Sequence, residues 1–161
     1  MIDVESGNLN TENVKGVNET SMKPGPETPM AGERPVFPKR AIITAGMPYG
    51  NKELHLGHIG GVFVHADTFA RFMRDRIGKE NVIFISGTDC YGSPILEHYR
   101  QLVESGSFEG TIEEFVQHNH KLQKEVLDSY HIGINLFAAS GLGRSAEIHR
   151  EVSDDFIRRL Y

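Results

Sequence analysis

Two short apolar runs, "RAIITAG" at residues 40–46 and "NVIFIS" at residues 81–86, do most to limit what this chain can fold into. The first is closed by Gly46 and Pro48 and the second by "GTDCYGSP", which is how a buried strand reads in sequence. Between them Ile59, Val62, Phe63, Ala66, Phe69, Ala70, Met73 and Ile77 recur at helical spacing. Asp67, Arg71, Arg74 and Asp75 fall largely between these positions, so the pattern predicts one apolar and one solvated face. Gly78 follows as a stop signal. Two buried strands joined by one amphipathic helix imply a βαβ unit with parallel strands and a right-handed crossover.

The rest of the pattern is helical with one exception. Ser93 and Pro94 read as a cap and first helical residue, and Thr111 with Glu114 reads as a capping box opening a second helix. "INLFAAS" is a third strand or an extended segment, and "SAEIHREVSDDFIRRLY" a further amphipathic helix. That last pattern runs to Tyr161 with no closing glycine or proline, which suggests a fragment of a longer protein. Residues 1–38 differ in kind. They hold five of the seven prolines and few large apolar side chains, so they cannot bury enough surface to offset the entropy of ordering. We read 1–38 as a disordered or loosely packed extension and 39–161 as the folded unit.

Composition narrows the setting. The chain is long enough for one domain with a real core. No apolar run is long enough to cross a bilayer. The start carries neither a secretory signal nor, with its acids, a transit peptide. A lone cysteine, Cys90, rules out an internal disulfide framework and fits a reducing cytosol, so a cytoplasmic location is expected. The formal net charge of −5 argues against a broad nucleic-acid footprint on this part of the protein.

In an open parallel sheet, ligands sit beyond the carboxyl ends of the strands. There the two strands deliver two glycine-rich loops, "GMPYGNKELHLGHIGG" and "GTDCYG", to one crevice. Gly57, Gly60 and Gly61 allow close approach of a planar or phosphorylated ligand, and the helix start offers N–H groups to a phosphate. His55 and His58 could donate to a phosphate whose charge grows during reaction. An HxxH metal pair and a plain turn are competing readings, although no cysteine or acid stands near to complete a metal site. Asp89 could hold an ammonium group or bond its own backbone as a turn-former. Tyr49 could wall a pocket or simply pack. Cys90 reads as a small neighbour, with no histidine partner to make it a nucleophile.

"PYGNKELHLGH", Pro48 to His58, resembles the P-Y-x-N-G-x-x-H-x-G-H signature of class I aminoacyl-tRNA synthetases, with "HLGH" as the HIGH motif. "GTDCYG" is similar to the G-T-D-x-H-G element of the methionyl branch. The resemblance runs from Arg40 to the end. It implies an α/β fold, a partial Rossmann-like parallel sheet that is the amino-terminal half of the catalytic domain. It also implies a two-step reaction: an amino acid, methionine in that branch, attacks the α-phosphate of ATP, and the aminoacyl group then passes to tRNA. Magnesium would accompany ATP. By the same resemblance His55 and His58 are catalytic, and Asn51, His55, Gly57, His58 and Gly61 bind ATP. Met47, Tyr49 and Asp89 bind the amino acid, Asp89 by its amino group. No metal ligand is implied in this chain, and zinc only in a connective domain outside it.

Departures from the pattern bear on the amino acid. Lys52 replaces the usual glycine after the asparagine, Tyr91 the histidine of the second element, and Cys90 precedes it. An aromatic at 91 is similar to the leucyl branch. No KMSKS-type loop, zinc-knuckle cysteines or anticodon-binding helices are found, so this chain alone is expected to be a weak catalyst. A smaller nucleotidyltransferase, a divergent synthetase paralogue and a remnant binding nucleotide or a partner are the alternatives. Oligomeric state is not legible here.

Overall fold

The computed structural model describes residues 35–160. The expected disordered extension lies outside them, apart from residues 35–38. Phe37, within the proline-rich stretch, packs on the core and meets Phe72 edge-on at 5.9 Å.

Three parallel strands form the sheet: β1 (Ala41–Thr44), β2 (Val82–Thr88) and β3 (Leu136–Ala139), in the order β1-β2-β3. "INLFAAS" is therefore a strand. Ala41 pairs with Val82 and Thr44 with Ile85, while Ile85 pairs with Leu136 and Thr88 with Ala139. Between β1 and β2 runs one helical segment. It opens with a single turn, α1 (Leu56–His58), passes through a π-helical turn (Ile59–Phe63), and continues as α2 (Val64–Ile77). Gly78, at φ +92°, ends it as the sequence predicts. α3 (Ser93–Glu104) and α4 (Ile112–Ser129) follow β2, and α5 (Gly143–Leu160) follows β3.

The core lies on one face of the sheet. Ile59, Phe63, Ala70 and Met73 of the α2 segment and Leu127 of α4 pack against Ile43, Val82 and Phe84. The alternate strand positions point away, and Ile42 is 71% exposed. A smaller cluster of Ile95, Phe115 and Val116 joins α3 to α4. Thr111 and Glu114 form the reciprocal capping box predicted for α4.

Three local expectations are corrected. Asp67, assigned to the solvated face, is 7% exposed. It accepts from Arg71 Nε at 2.7 Å and from the Gly133 N–H at 2.9 Å. Arg74 donates to the Gly133 carbonyl and Asn135 Oδ1, so Asp67 and Arg74 seat the α4–β3 connection, while Arg71 and Asp75 stay exposed as expected. Phe69, assigned to the apolar face, is 53% exposed, because Ala70 and Met73 take the sheet and leave it beside Phe72 at the rim. Ser93 is not the cap of α3. The helix already includes it, and Gly92 at φ +122° holds the cap position with no side-chain bond.

Candidate active site

The two glycine-rich loops meet beyond the carboxyl ends of β1 and β2. Thr44 pairs with Ile85, and the strands touch again where Tyr49 bridges Asp89. Four residues of the first strand, 45–48, thus lie opposite three of the second, 86–88. The surplus residue arches outward, as in a bulge. The arch is pinned at both feet. Ala45 N–H donates to the Ile85 carbonyl at 3.1 Å, Asp89 N–H to the Pro48 carbonyl at 2.8 Å, and Gly50 N–H to the Asp89 carbonyl at 2.7 Å. Under it opens a cleft of about 700 Å³, lined by Met47, Ile85, Gly87, Asp89, Ile148 and His149 among others. A Cβ on Gly87 would overlap the Ala138 carbonyl and press Met47 Cε at 3.2 Å, so glycine is required there.

Asp89 joins both readings the sequence left open. Its Oδ1 accepts from the Tyr91 N–H at 3.1 Å, a turn-former's bond, and its side chain still lines the cleft. A carboxylate so engaged keeps capacity for further donors. Met47 and Tyr49 are half exposed. Cys90 Sγ lies 3.5 Å from the Thr88 carbonyl, and burial pushes its thiol up, away from nucleophilic use.

The histidine turn caps itself. His55 Nδ1 accepts from the Gly57 N–H at 3.1 Å, and His58 Nδ1 accepts from the His55 N–H at 3.3 Å. The rings lie 3.9 Å apart, centroid to centroid. A ring nitrogen that accepts carries no proton, so these two bonds leave Nε2 as the donor of each ring. Neither Nε2 has a protein partner among the described residues. Burial, the neighbouring His55 and the Lys52 charge together pull the His58 pKa below its usual range, which favours its neutral form. The helix-start N–H groups are therefore not all unpaired, as first expected: Gly57 gives its own to His55.

Glycines here differ in purpose. A Cβ on Gly57 would meet the His55 ring at 2.9 Å, so this residue makes room for the cap itself. Gly60 and Gly61 would meet nothing within 4 Å, so no internal packing requires them. Asn51 turns toward α3: its Nδ2 is 3.4 Å from the Pro94 carbonyl, and its own carbonyl accepts from His98 Nδ1 at 2.7 Å. With His55 it borders a second hollow, of about 610 Å³. Met47 and Asp89 thus share one cleft, Asn51 and His55 the other, while Tyr49, Gly57, His58 and Gly61 line neither.

Two residues of this neighbourhood escaped the sequence reading. His149 of α5 walls the cleft and stacks on Tyr91 at 5.6 Å. Gln123 of α4 is fully buried beneath the Tyr49 loop. The available signal was a pair of amides between apolar residues on one helix face, since Phe115, Asn119, Gln123 and Leu127 follow one another at four-residue steps.

Comparison with known proteins agrees with this geometry. The family described as "tRNA synthetases class I (M)" matches residues 41–161. The chain is 33% identical over 124 residues to the methionine–tRNA ligase of Bacteroides fragilis, covering 76% of this chain and 16% of that protein. It is 34% identical over 125 residues to the enzyme of Cytophaga hutchinsonii, 77% of this chain and 16% of the other. For the Chlamydia abortus enzyme the identity is 32% over 124 residues, 77% and 20% respectively. The chain therefore spans between a sixth and a fifth of the length of these relatives. With a three-stranded parallel sheet, helices packed on it and a match from β1 onward, the chain belongs to the class I tRNA synthetases of the methionyl type.

Proposed function

We propose that the full-length protein activates an amino acid, methionine in the first instance, with ATP and transfers it to tRNA. The observation that supports this best is the self-capped histidine turn. Because both Nδ1 atoms are held by backbone N–H groups, His55 and His58 offer Nε2–H donors to a ligand at no cost in reorganisation. Adenylate formation places growing negative charge on phosphate oxygens, and fixed donors of this kind stabilise that charge more than the ground state.

Each other residue has a proposed task. Asp89 holds the substrate ammonium in the cleft, with Met47 beside the side chain and Tyr49 meeting it from the loop paired to Asp89. Gly61 leaves the backbone at the turn open to the nucleotide, Gly57 makes room for the His55 ring that faces it, and Asn51 stands at the edge of the histidine hollow. The carboxylate of the bound amino acid then attacks the α-phosphorus, and the bond to pyrophosphate breaks as the mixed anhydride between carboxylate and phosphate forms. Magnesium would travel with the triphosphate and offset part of its charge. The aminoacyl group passes in the second step to the tRNA end. No helix among the described residues is long and apolar enough to cross a membrane.

Amino-acid-dependent ATP–pyrophosphate exchange, run on the full-length protein against each standard amino acid, tests the reading. Methionine-dependent exchange is expected. Activity with another amino acid alone would move the protein to a divergent paralogue, and exchange with none would overturn the proposal. Asp89→Ala should raise the amino-acid KM by about 10- to 100-fold, the scale of one charge-assisted hydrogen bond, with the ATP KM little changed. Unchanged amino-acid KM would remove Asp89 from its role.

A further inference from the structure

The polar side chains buried behind the cleft form one directed chain of hydrogen bonds. Thr88 and Gln123 are both 0% exposed. The Thr88 hydroxyl donates to Gln123 Oε1 at 2.8 Å. A hydroxyl has a single proton, so the 2.7 Å contact between Thr88 Oγ1 and His120 Nδ1 must have the histidine as donor. Gln123 Nε2 then donates twice, to the Tyr49 carbonyl at 2.9 Å and to the Lys52 carbonyl at 2.8 Å. Turning the amide over would set its oxygen against two carbonyls, so its orientation is fixed by its neighbours.

Both N–H donors and the carbonyl oxygen of this amide are engaged, in three bonds, and its partners come from the two loops of the site. Through Thr88 it grips the end of β2, one residue before Asp89. Through Tyr49 and Lys52 it grips the loop between the arch and the histidine turn. The Tyr49 side chain is half exposed, so burial of its own ring does not fully anchor that loop. An apolar residue would serve helix packing at this point of α4 with no polar group to satisfy. The glutamine does something packing does not require.

We infer that Gln123 is a positioning residue, which holds the Tyr49–Lys52 loop and the Thr88–Asp89 strand end in one fixed relation. The consequence for catalysis rests on the reading of Asp89 and Tyr49 as amino-acid contacts. Gln123 touches neither substrate and acts through them.

Gln123→Glu keeps the shape and the acceptor for Thr88 but cannot serve both carbonyls, since a carboxyl carries at most one proton. Thr88→Val removes the hydroxyl at constant volume, and Thr88→Ser restores it. Amide hydrogen exchange in the full-length protein reads the loops without any activity. The N–H groups of Gly50 and Asp89, which pair the two loops, should exchange about tenfold faster in Gln123→Glu and Thr88→Val, with the β1–β2 ladder unchanged. Thr88→Ser should match the wild type. In the exchange assay the amino-acid KM should rise about tenfold in the two disruptive variants, with the ATP KM unmoved. If Gln123→Glu fails to fold, the valine and serine variants decide the matter. Loop amides that do not respond would overturn the inference, and so would equal acceleration along the strands, which marks general destabilisation. A wild type that activates no amino acid, with loop amides that respond as expected, overturns the functional reading and upholds the clamp.

Discussion

His58 has two duties, because the nitrogen that ties down its ring decides which nitrogen faces a ligand. Under the proposed function, His58→Ala should lower the adenylation rate about 10²- to 10³-fold, the usual loss for one preorganised donor. Single-turnover measurement with ATP binding measured separately checks this, and equal losses in both would point to simple binding. His55 allows the two duties to be separated. In His55→Asn the amide oxygen still accepts from the Gly57 N–H, but no donor reaches as far as Nε2. We expect thermal stability near that of the wild type with a reduced rate, whereas His55→Ala should lose about 1 kcal/mol as well. The motif itself was legible in the sequence, but the reciprocal cap was not. Side-chain-to-backbone bonds depend on rotamers that spacing does not reveal, and the same gap hid Gln123, whose three bonds reach 35, 71 and 74 residues along the chain.

Strands and helices were easier to read than their ends. The apolar runs gave β1 and β2 because a parallel strand buried on at least one face needs Ile, Val and Phe, and the chain offers them in two blocks. The Thr111 cap was read correctly because it is local, closed within three residues. The cap of α3 was misread because Gly92 takes a positive φ that a serine pattern does not announce. Asp67 was misplaced for a different reason: its partner, Gly133, lies 66 residues away. Gly87 gives this level a test. Gly87→Ala drives a methyl into the Ala138 carbonyl across the β2–β3 pair, and should destabilise the fold by about 1–3 kcal/mol or more in urea denaturation.

The molecule as a whole should lose stability in mild acid. Both His58 and His120 have pKa values below the ordinary 6.5: His58 through burial and the nearby His55 and Lys52, His120 through burial and Lys124. The unfolded chain therefore binds protons more readily than the folded one just below pH 6.5. Stability from these groups is full above that point and falls as pH drops through their folded values. A lower urea midpoint at pH 5.5 than at pH 7.5 is expected, and His120→Phe combined with His58→Gln should flatten the difference.

The arch over the cleft leads to one last consequence. Four residues against three is a matter of length, and length is indifferent to which residues are counted. Had the first strand been one residue shorter between Thr44 and Tyr49, the two strands would run in step to Asp89, and the ladder would close over the space Met47 now occupies. The hollow is thus written in the spacing of the gene, in codons counted rather than codons chosen. A library across residues 45–48 should accept many substitutions at Ala45, yet every single-codon deletion there should abolish amino-acid use while leaving a folded sheet.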